Sequence, residues 1–180
     1  VFHNLEAFEL KVDFITDSQQ IEKHRYIDQR FNQHLLRVDK NETYMIETYK
    51  FNDKDLTNKD IVVISDYNKG FLTVKDIIEI SVRHKMTFLD TKKRLGKWCD
   101  TVNWIKINEY EYKNTCNSSS REEVLALTEK LIITLSEKGC EHDGKKFPVE
   151  EVEIKDLSGA GDTFLAGLVC KFLQTQNIEA

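Results

Sequence analysis

Ile61-Val62-Val63-Ile64 is the stretch that most narrows what this chain can fold into. Four consecutive β-branched apolar residues leave no polar face for water. A strand built from them must be covered on both sides, as in a parallel sheet between layers of helices. The surrounding pattern repeats the theme. Val74, Ile77, Ile78 and Ser81 fall at helical spacing within Thr73 to Lys85, with Thr73 placed to cap the helix. Met86 to Leu89 predicts a strand ending at Asp90, and Val102 to Ile107 another ending at Asn108. Glu122 to Lys130 reads as a helix and Leu131 to Leu135 as a strand ending near Ser136. Ser158 to Gln174 reads as a helix opened by small residues, and Asp143-Gly144 marks a hairpin within Glu141 to Val149. Strand and helix in alternation predict an α/β layered domain with a mostly parallel sheet.

The first forty residues look mostly extended. Aromatic and apolar residues alternate with polar ones from Lys23 to Asp39, around a turn near Gln29 to Gln33, which predicts a small separate sheet or flap. Asn114 to Ser120 reads as a flexible loop, with Ser120 and Glu123 spaced as a capping box for the helical pattern after it. One proline and seven glycines leave little room for an inter-domain linker in 180 residues. Ten Phe, six Tyr and two Trp supply core material. The balance of 26 basic against 31 acidic residues argues against a dominant nucleic-acid surface. No apolar run approaches the roughly 20 residues that span a bilayer. The opening, with Glu6, Glu9 and Asp13, does not read as a secretory signal. Cys99, Cys116, Cys140 and Cys170 stand far apart without a C-x-x-C, so four reduced thiols and a cytoplasmic setting are expected.

In open α/β sheets, ligands collect at the carboxyl ends of strands. Each predicted strand here ends in polar residues: Ser65-Asp66-Tyr67, Asp90-Thr91-Lys92, Asn108 with Glu111, and Thr134 with Ser136. Any one of these is ordinary loop polarity; their joint occurrence is more specific. The sharpest segment is Ser158-Gly159-Ala160-Gly161-Asp162-Thr163. Small residues at a helix start let main-chain N–H groups approach an anion, and the helix adds about half a positive charge there. By spacing alone, the segment equally suits a glycine-relieved helix start whose acid matches the dipole.

The stretch from Leu157 to Leu168 resembles the C-terminal signature of the ribokinase-like carbohydrate kinases, also called the phosphofructokinase B family. Asn108-Glu109-Tyr110-Glu111 is similar to the family's Asn-x-x-Glu motif, and Thr134 to Gly139 to its nucleotide-contacting strand end. Ser65 to Gly70 and Asp90-Thr91-Lys92 resemble one branch, the D-glycero-D-manno-heptose 7-phosphate kinases of ADP-heptose synthesis. Lys23 to Ile27, Asn32-Gln33 and Arg37 to Asp39 resemble that branch's lid strands. The resemblance implies a three-layer α/β/α fold with a mostly parallel sheet and a small β lid. The lid would lie at about residues 12–50 and the core at 60–180 of one partial kinase domain. It implies ATP and Mg²⁺ as cofactors and a small-molecule sugar phosphate as substrate, with neither nucleic acid nor membrane as partner. Lid strands paired between subunits would make a homodimer.

The resemblance also assigns roles. Asp162 would be the base for the acceptor hydroxyl, and Gly159, Ala160 and Gly161 would present amides to the transferring phosphoryl group. Asn108 and Glu111 would organise magnesium through water; a capping Asn beside a solvated Glu is the competing possibility. Thr134, Ser136 and Gly139 would meet the nucleotide. Asp66, Lys69, Asp90, Lys92 and Arg25 are weaker candidates for the substrate, and Arg25 and Arg37 also suit cross-strand pairing with nearby acids. Three departures stand out. No Gly-Gly segment for the sugar precedes the lid, the sequence stops at Ala180 before the family's last helices, and Thr91 replaces a common Pro. A fragment of a longer kinase, a kinase for another sugar, and a shortened homologue serving in binding or assembly are all compatible with these departures.

Overall fold

A computed structural model describes residues 1–16, 22–31, 33–40, 56–150 and 159–180. Its centre is a six-stranded sheet whose spatial order is the chain order: β3 (Val62–Asp66), β4 (Thr87–Thr91), β5 (Trp104–Asn108), β6 (Leu131–Thr134), β7 (Cys140–His142) and β8 (Lys145–Phe147). β3 to β6 are parallel and β7 and β8 antiparallel. Preceding them, α1 (Phe2–Ala7) is followed by β1 (Glu22–Asp28) and β2 (Gln33–Lys40), which pair antiparallel as a sheet of their own. The helices joined to the main sheet are α2 (Val74–Arg83), α3 (Glu109–Ser118), α4 (Arg121–Leu127) and α5 (Ala160–Thr175). The fold is the expected α/β/α arrangement with a mostly parallel sheet.

Period-2 alternation sorts the strands into two cores. Ile64, Leu89, Ile105, Ile107, Leu131 and Ile133 face α2 and α4, where Ile77, Ile80 and Leu127 complete one cluster. On the other face, Val63, Phe88 and Trp104 meet Leu165, Val169 and Phe172 of α5 and Leu5 of α1. Phe88 and Phe172 pack edge to face with centroids 5.4 Å apart. The apolar run at 61–64 is therefore covered on both sides.

Local chemistry sets the helix starts. Thr73 caps α2 in a reciprocal box with Asp76, as Ser120 does for α4 with Glu123. Two expectations are corrected. The first residues are not all extended: α1 is helical, too short to show periodicity in sequence, and is held because Leu5 is buried in the α5 core. Asn114 to Ser118 is not a loop but the end of α3, begun by a strong cap at Asn108 and anchored by the buried Thr115. The expected helix start at Ser158, Asn32 and the lid beyond residue 40 lie outside the described residues.

The cysteines are free as expected, and burial pushes the Cys99 thiol up to about 11. The β6–β7 turn depends on Gly139, whose φ is +88° and whose missing Cβ would lie 2.0 Å from the Phe147 carbonyl oxygen. Gly139→Ala is expected to lower the unfolding free energy by about 1–3 kcal/mol or more, from left-handed strain plus displacement of β8. A drop in the urea midpoint at unchanged slope would show this; an unchanged midpoint would contradict it.

Candidate active site

The parallel strands β3 to β6 all end on one rim, so their last residues and the start of α5 surround a single cleft of about 1230 Å³. Asp66, Asp90, Lys92, Asn108 and Thr134 line it from the strand side. Ser136 and Gly139 come from the β6–β7 turn, and Gly159, Ala160, Gly161 and Asp162 from α5. The sequence candidates from four separate strands thus converge in space. Arg25, Lys69 and Glu111 do not line the cleft.

α5 has Gly159 as its N-cap at φ +79°, with no side chain capping it. Its first helical bond runs from the Thr163 amide to the Gly159 carbonyl at 2.9 Å. The amides of Ala160, Gly161 and Asp162 therefore have no acceptor within the helix. Asp162 stands in this first turn with a quarter of its side chain exposed. The Tyr67 hydroxyl, just beyond β3, donates to both of its carboxylate oxygens at 3.0 Å. Burial, followed by the Asp162 charge and hydrogen bond, pushes the Tyr67 phenol well above its ordinary value, so it stays a donor.

Lys106 projects from β5 onto the same face. Its ammonium donates to Asp90 Oδ2 at 2.9 Å, with only 6% and 10% of the two side chains exposed. A Cβ on Gly161 would come within 2.8 Å of Lys106 Nζ, so the glycine leaves room for the ammonium beside the first turn of α5. Burial pushes the Asp90 carboxyl up from its ordinary value, while Lys106 pulls the other way.

Asp66, Glu111 and Lys92 are tied down. Asp66 is buried and accepts from Thr91 Oγ1 at 2.7 Å, Lys93 Nζ at 2.7 Å and the Asn68 amide at 2.9 Å. Asn108 caps α3 by accepting from the Glu111 amide, while Glu111 Oε2 accepts from the Asn108 amide, both at 2.8 Å. Glu111 Oε1 is paired with Lys92. With these atoms engaged, the pair suits a hydrated cation reached through water better than direct ligation. No cluster of three or more His, Cys, Asp or Glu among the described residues forms a metal cage. Thr134 Oγ1 donates to the Ile107 carbonyl at 3.3 Å. On the small sheet, Arg37 pairs with Asp39 of its own strand, and Arg25 lies opposite Arg37 rather than an acid.

Two contributors were missed in sequence. Lys106 sat inside a run read only as a strand; a charge within a strand buried on both faces was the available signal. Tyr67 passed as loop polarity, although a phenol directly after a strand end offers a directed donor.

The chain belongs to the pfkB family of carbohydrate kinases, whose pattern it matches over residues 6–180. It is 28% identical over 172 residues to "Bifunctional protein HldE" of a Nitratiruptor species, covering 82% of this chain and 36% of that protein. It thus spans about a third of the length of such curated relatives. The fold matches Xylella fastidiosa fructokinase with bound ATP at a TM-score of 0.65 and 14% identity, covering 87% of this chain and 57% of that one. It also matches Burkholderia thailandensis nucleoside kinase in complex with inosine at 0.64 and 18%, covering 96% and 63%.

Lys106→Met removes one half of a buried ion pair and is expected to cost about 3–5 kcal/mol of stability. A raised carboxyl in the folded state holds a proton that the unfolded chain has released. Removing Lys106 raises it further, so the cost should be smallest in acid, where the carboxyl is protonated in both proteins, and grow once pH passes the parent's own raised value. Urea unfolding across pH checks this; a pH-independent cost would contradict it.

Proposed function

We propose that this pfkB-family chain carries the phosphoryl-transfer centre of an ATP-dependent sugar kinase, with a heptose 7-phosphate as the favoured acceptor and heptose 1,7-bisphosphate as its product. The observation that carries this is Asp162 in the first turn of a sixteen-residue helix that has no side-chain cap and opens on the cleft.

ATP, when bound, supplies the γ-phosphoryl group, and Mg²⁺ neutralises phosphate charge. The cleft has the volume for a nucleotide and a sugar together. Asp162 takes the acceptor's hydroxyl proton. The amides of Ala160 and Gly161 face the negative charge that develops during transfer, with Gly159 shaping their approach. The Lys106 ammonium adds positive charge beside them. Thr134, Ser136 and Gly139 border the nucleotide side. Asn108, with Glu111 behind it, would hold a hydrated metal through water. Asp90 positions Lys106, while Asp66 shapes the β3 end. Lys92, Lys69 and Arg25 remain candidates for the sugar phosphate.

The heptose assignment is supported by the resemblance of Ser65–Gly70 and Asp90–Lys92 to that branch, and by the match to a bifunctional HldE protein over 82% of this chain. A kinase for another sugar is the second reading, since the fold likeness extends to a fructokinase and a nucleoside kinase. The exposed Tyr26, Ile27, Leu35 and Leu36 on β1–β2 support pairing of two copies through that sheet. Four free thiols fit a reducing, cytoplasmic setting.

ADP release over a panel of sugars and sugar phosphates tests the activity. Heptose 7-phosphate should give the highest kcat/KM, and Asp162→Asn should lower turnover by about 10²–10⁴-fold with ATP binding kept. Near-normal turnover in Asp162→Asn would remove the base. Activity on fructose or ribose alone would overturn the heptose assignment, and no turnover with any acceptor would favour a binding role. Sedimentation velocity should give a dimer that Leu35→Glu converts to monomer; a monomeric parent would contradict pairing.

A further inference from the structure

Tyr67 touches two elements that are both distant from it in sequence. Its hydroxyl lies 3.0 Å from both oxygens of Asp162 on α5, and its ring receives Lys23 Nζ of β1 at 4.7 Å from the centroid. An aspartate in an open helix turn can take several rotamers. A donor equidistant from both oxygens holds the side chain in one of them, fixing where the carboxylate points. It uses two of the roughly four lone-pair positions and leaves the others for an acceptor hydroxyl. The ring's own placement is set from β3 on one side and by the ammonium over its face on the other.

We propose that Tyr67 is a positioning residue for the Asp162 carboxylate, and that Lys23 couples the β1–β2 sheet to it through the Tyr67 ring. The inference rests on the kinase reading for its consequence in catalysis, but not for its geometry. Lys23 holds the ring, the ring holds the hydroxyl, and the hydroxyl holds the base. Movement of the small sheet away from the core therefore loosens Asp162 without any residue of that sheet touching the reacting atoms. The phenol takes no proton itself. It acts only as a donor, because burial and the neighbouring carboxylate keep it protonated.

Tyr67→Phe keeps the ring and removes the donor, while Tyr67→Leu removes both. For the protein assayed with ATP and its best acceptor, Tyr67→Phe should lower kcat about ten- to a hundredfold with KM for acceptor and ATP changed less than about twofold. A merely structural role would move KM or the urea midpoint along with kcat. Lys23→Met should lower kcat several-fold and Lys23→Arg should recover most of it. Lys23→Met should add nothing in a Tyr67→Leu background, since the seat is gone. Unchanged kcat in Tyr67→Phe, or unchanged kcat with a lower KM, would overturn the positioning role. The latter would mean that the phenol occupies the acceptor's place.

Hydrogen exchange tests the coupling without turnover. Amides of residues 22–28 should exchange faster in Lys23→Met and Tyr67→Leu but at the parent rate in Tyr67→Phe. Equal exchange in all of them would overturn the coupling. If the parent protein phosphorylates no acceptor, the kinase reading fails while the exchange arm still decides the Lys23 seat. If the parent is active and Tyr67→Phe matches it, the kinase reading stands and the positioning role falls.

Discussion

A lysine inside a sheet covered on both faces must be answered by a carboxylate, and here the answer comes from the next strand. Lys106 on β5 and Asp90 on β4 are register partners, and their side chains meet at 2.9 Å with almost no exposure. Two residues earlier on the same strands and the same face, Trp104 and Phe88 are apolar and lie in the α5 core. The face therefore changes from apolar to charged within one step of the pleat, close to the strand ends. α5 follows that change: its later turns carry Val169 and Phe172 over the apolar part, while Gly161 lies beside the ammonium. The position of the helix start, and of Asp162 with it, follows from how this face of the sheet is written. A side chain larger than glycine at 161 would compete with Lys106 for the same space.

Charges around the cleft divide into those that build and those that remain available. Asp66 has three donors and serves as a brace for the β3 end, linking it to Thr91 at the end of β4 and to Lys93 just beyond. Glu111 is held by the Asn108 amide and by Lys92. Asp162 accepts from the Tyr67 hydroxyl and lines the cleft. Asp162 is thus bonded by a neutral phenol beside amides without helical acceptors, where Asp66, Asp90 and Glu111 are each paired with a lysine. This contrast supports the proposed base role, beyond the resemblance of the surrounding segment.

Much of this was legible in sequence because it is periodic or local. The run at Ile61–Ile64 announced a doubly covered strand, and the reciprocal caps at Thr73 and Ser120 follow from residue type and spacing. The strand-end residues could be named before their convergence was visible, because parallel strands deliver their carboxyl ends to one rim. What stayed hidden depends on tertiary packing. α1 exists because Leu5 finds the α5 core, and the last turns of α3 persist through an unpromising Asn-Thr-Cys-Asn-Ser run because Thr115 is buried. Whether Asn108 and Glu111 cap a helix or serve a metal could not be decided by spacing, and the geometry makes them a cap first. Tyr67 and Lys106 needed partners 95 and 16 residues away before either meant anything.

The central claim is that the cleft at the start of α5 delivers a phosphoryl group to an alcohol. A single-turnover reaction with ATP labelled in its γ-phosphate, quenched and resolved by product, tests it most directly. Label recovered as an ester on a hydroxyl of heptose 7-phosphate, at the rate of ADP formation, is the expected result. Label found only in inorganic phosphate, or left in ATP while the sugar is bound, would contradict it.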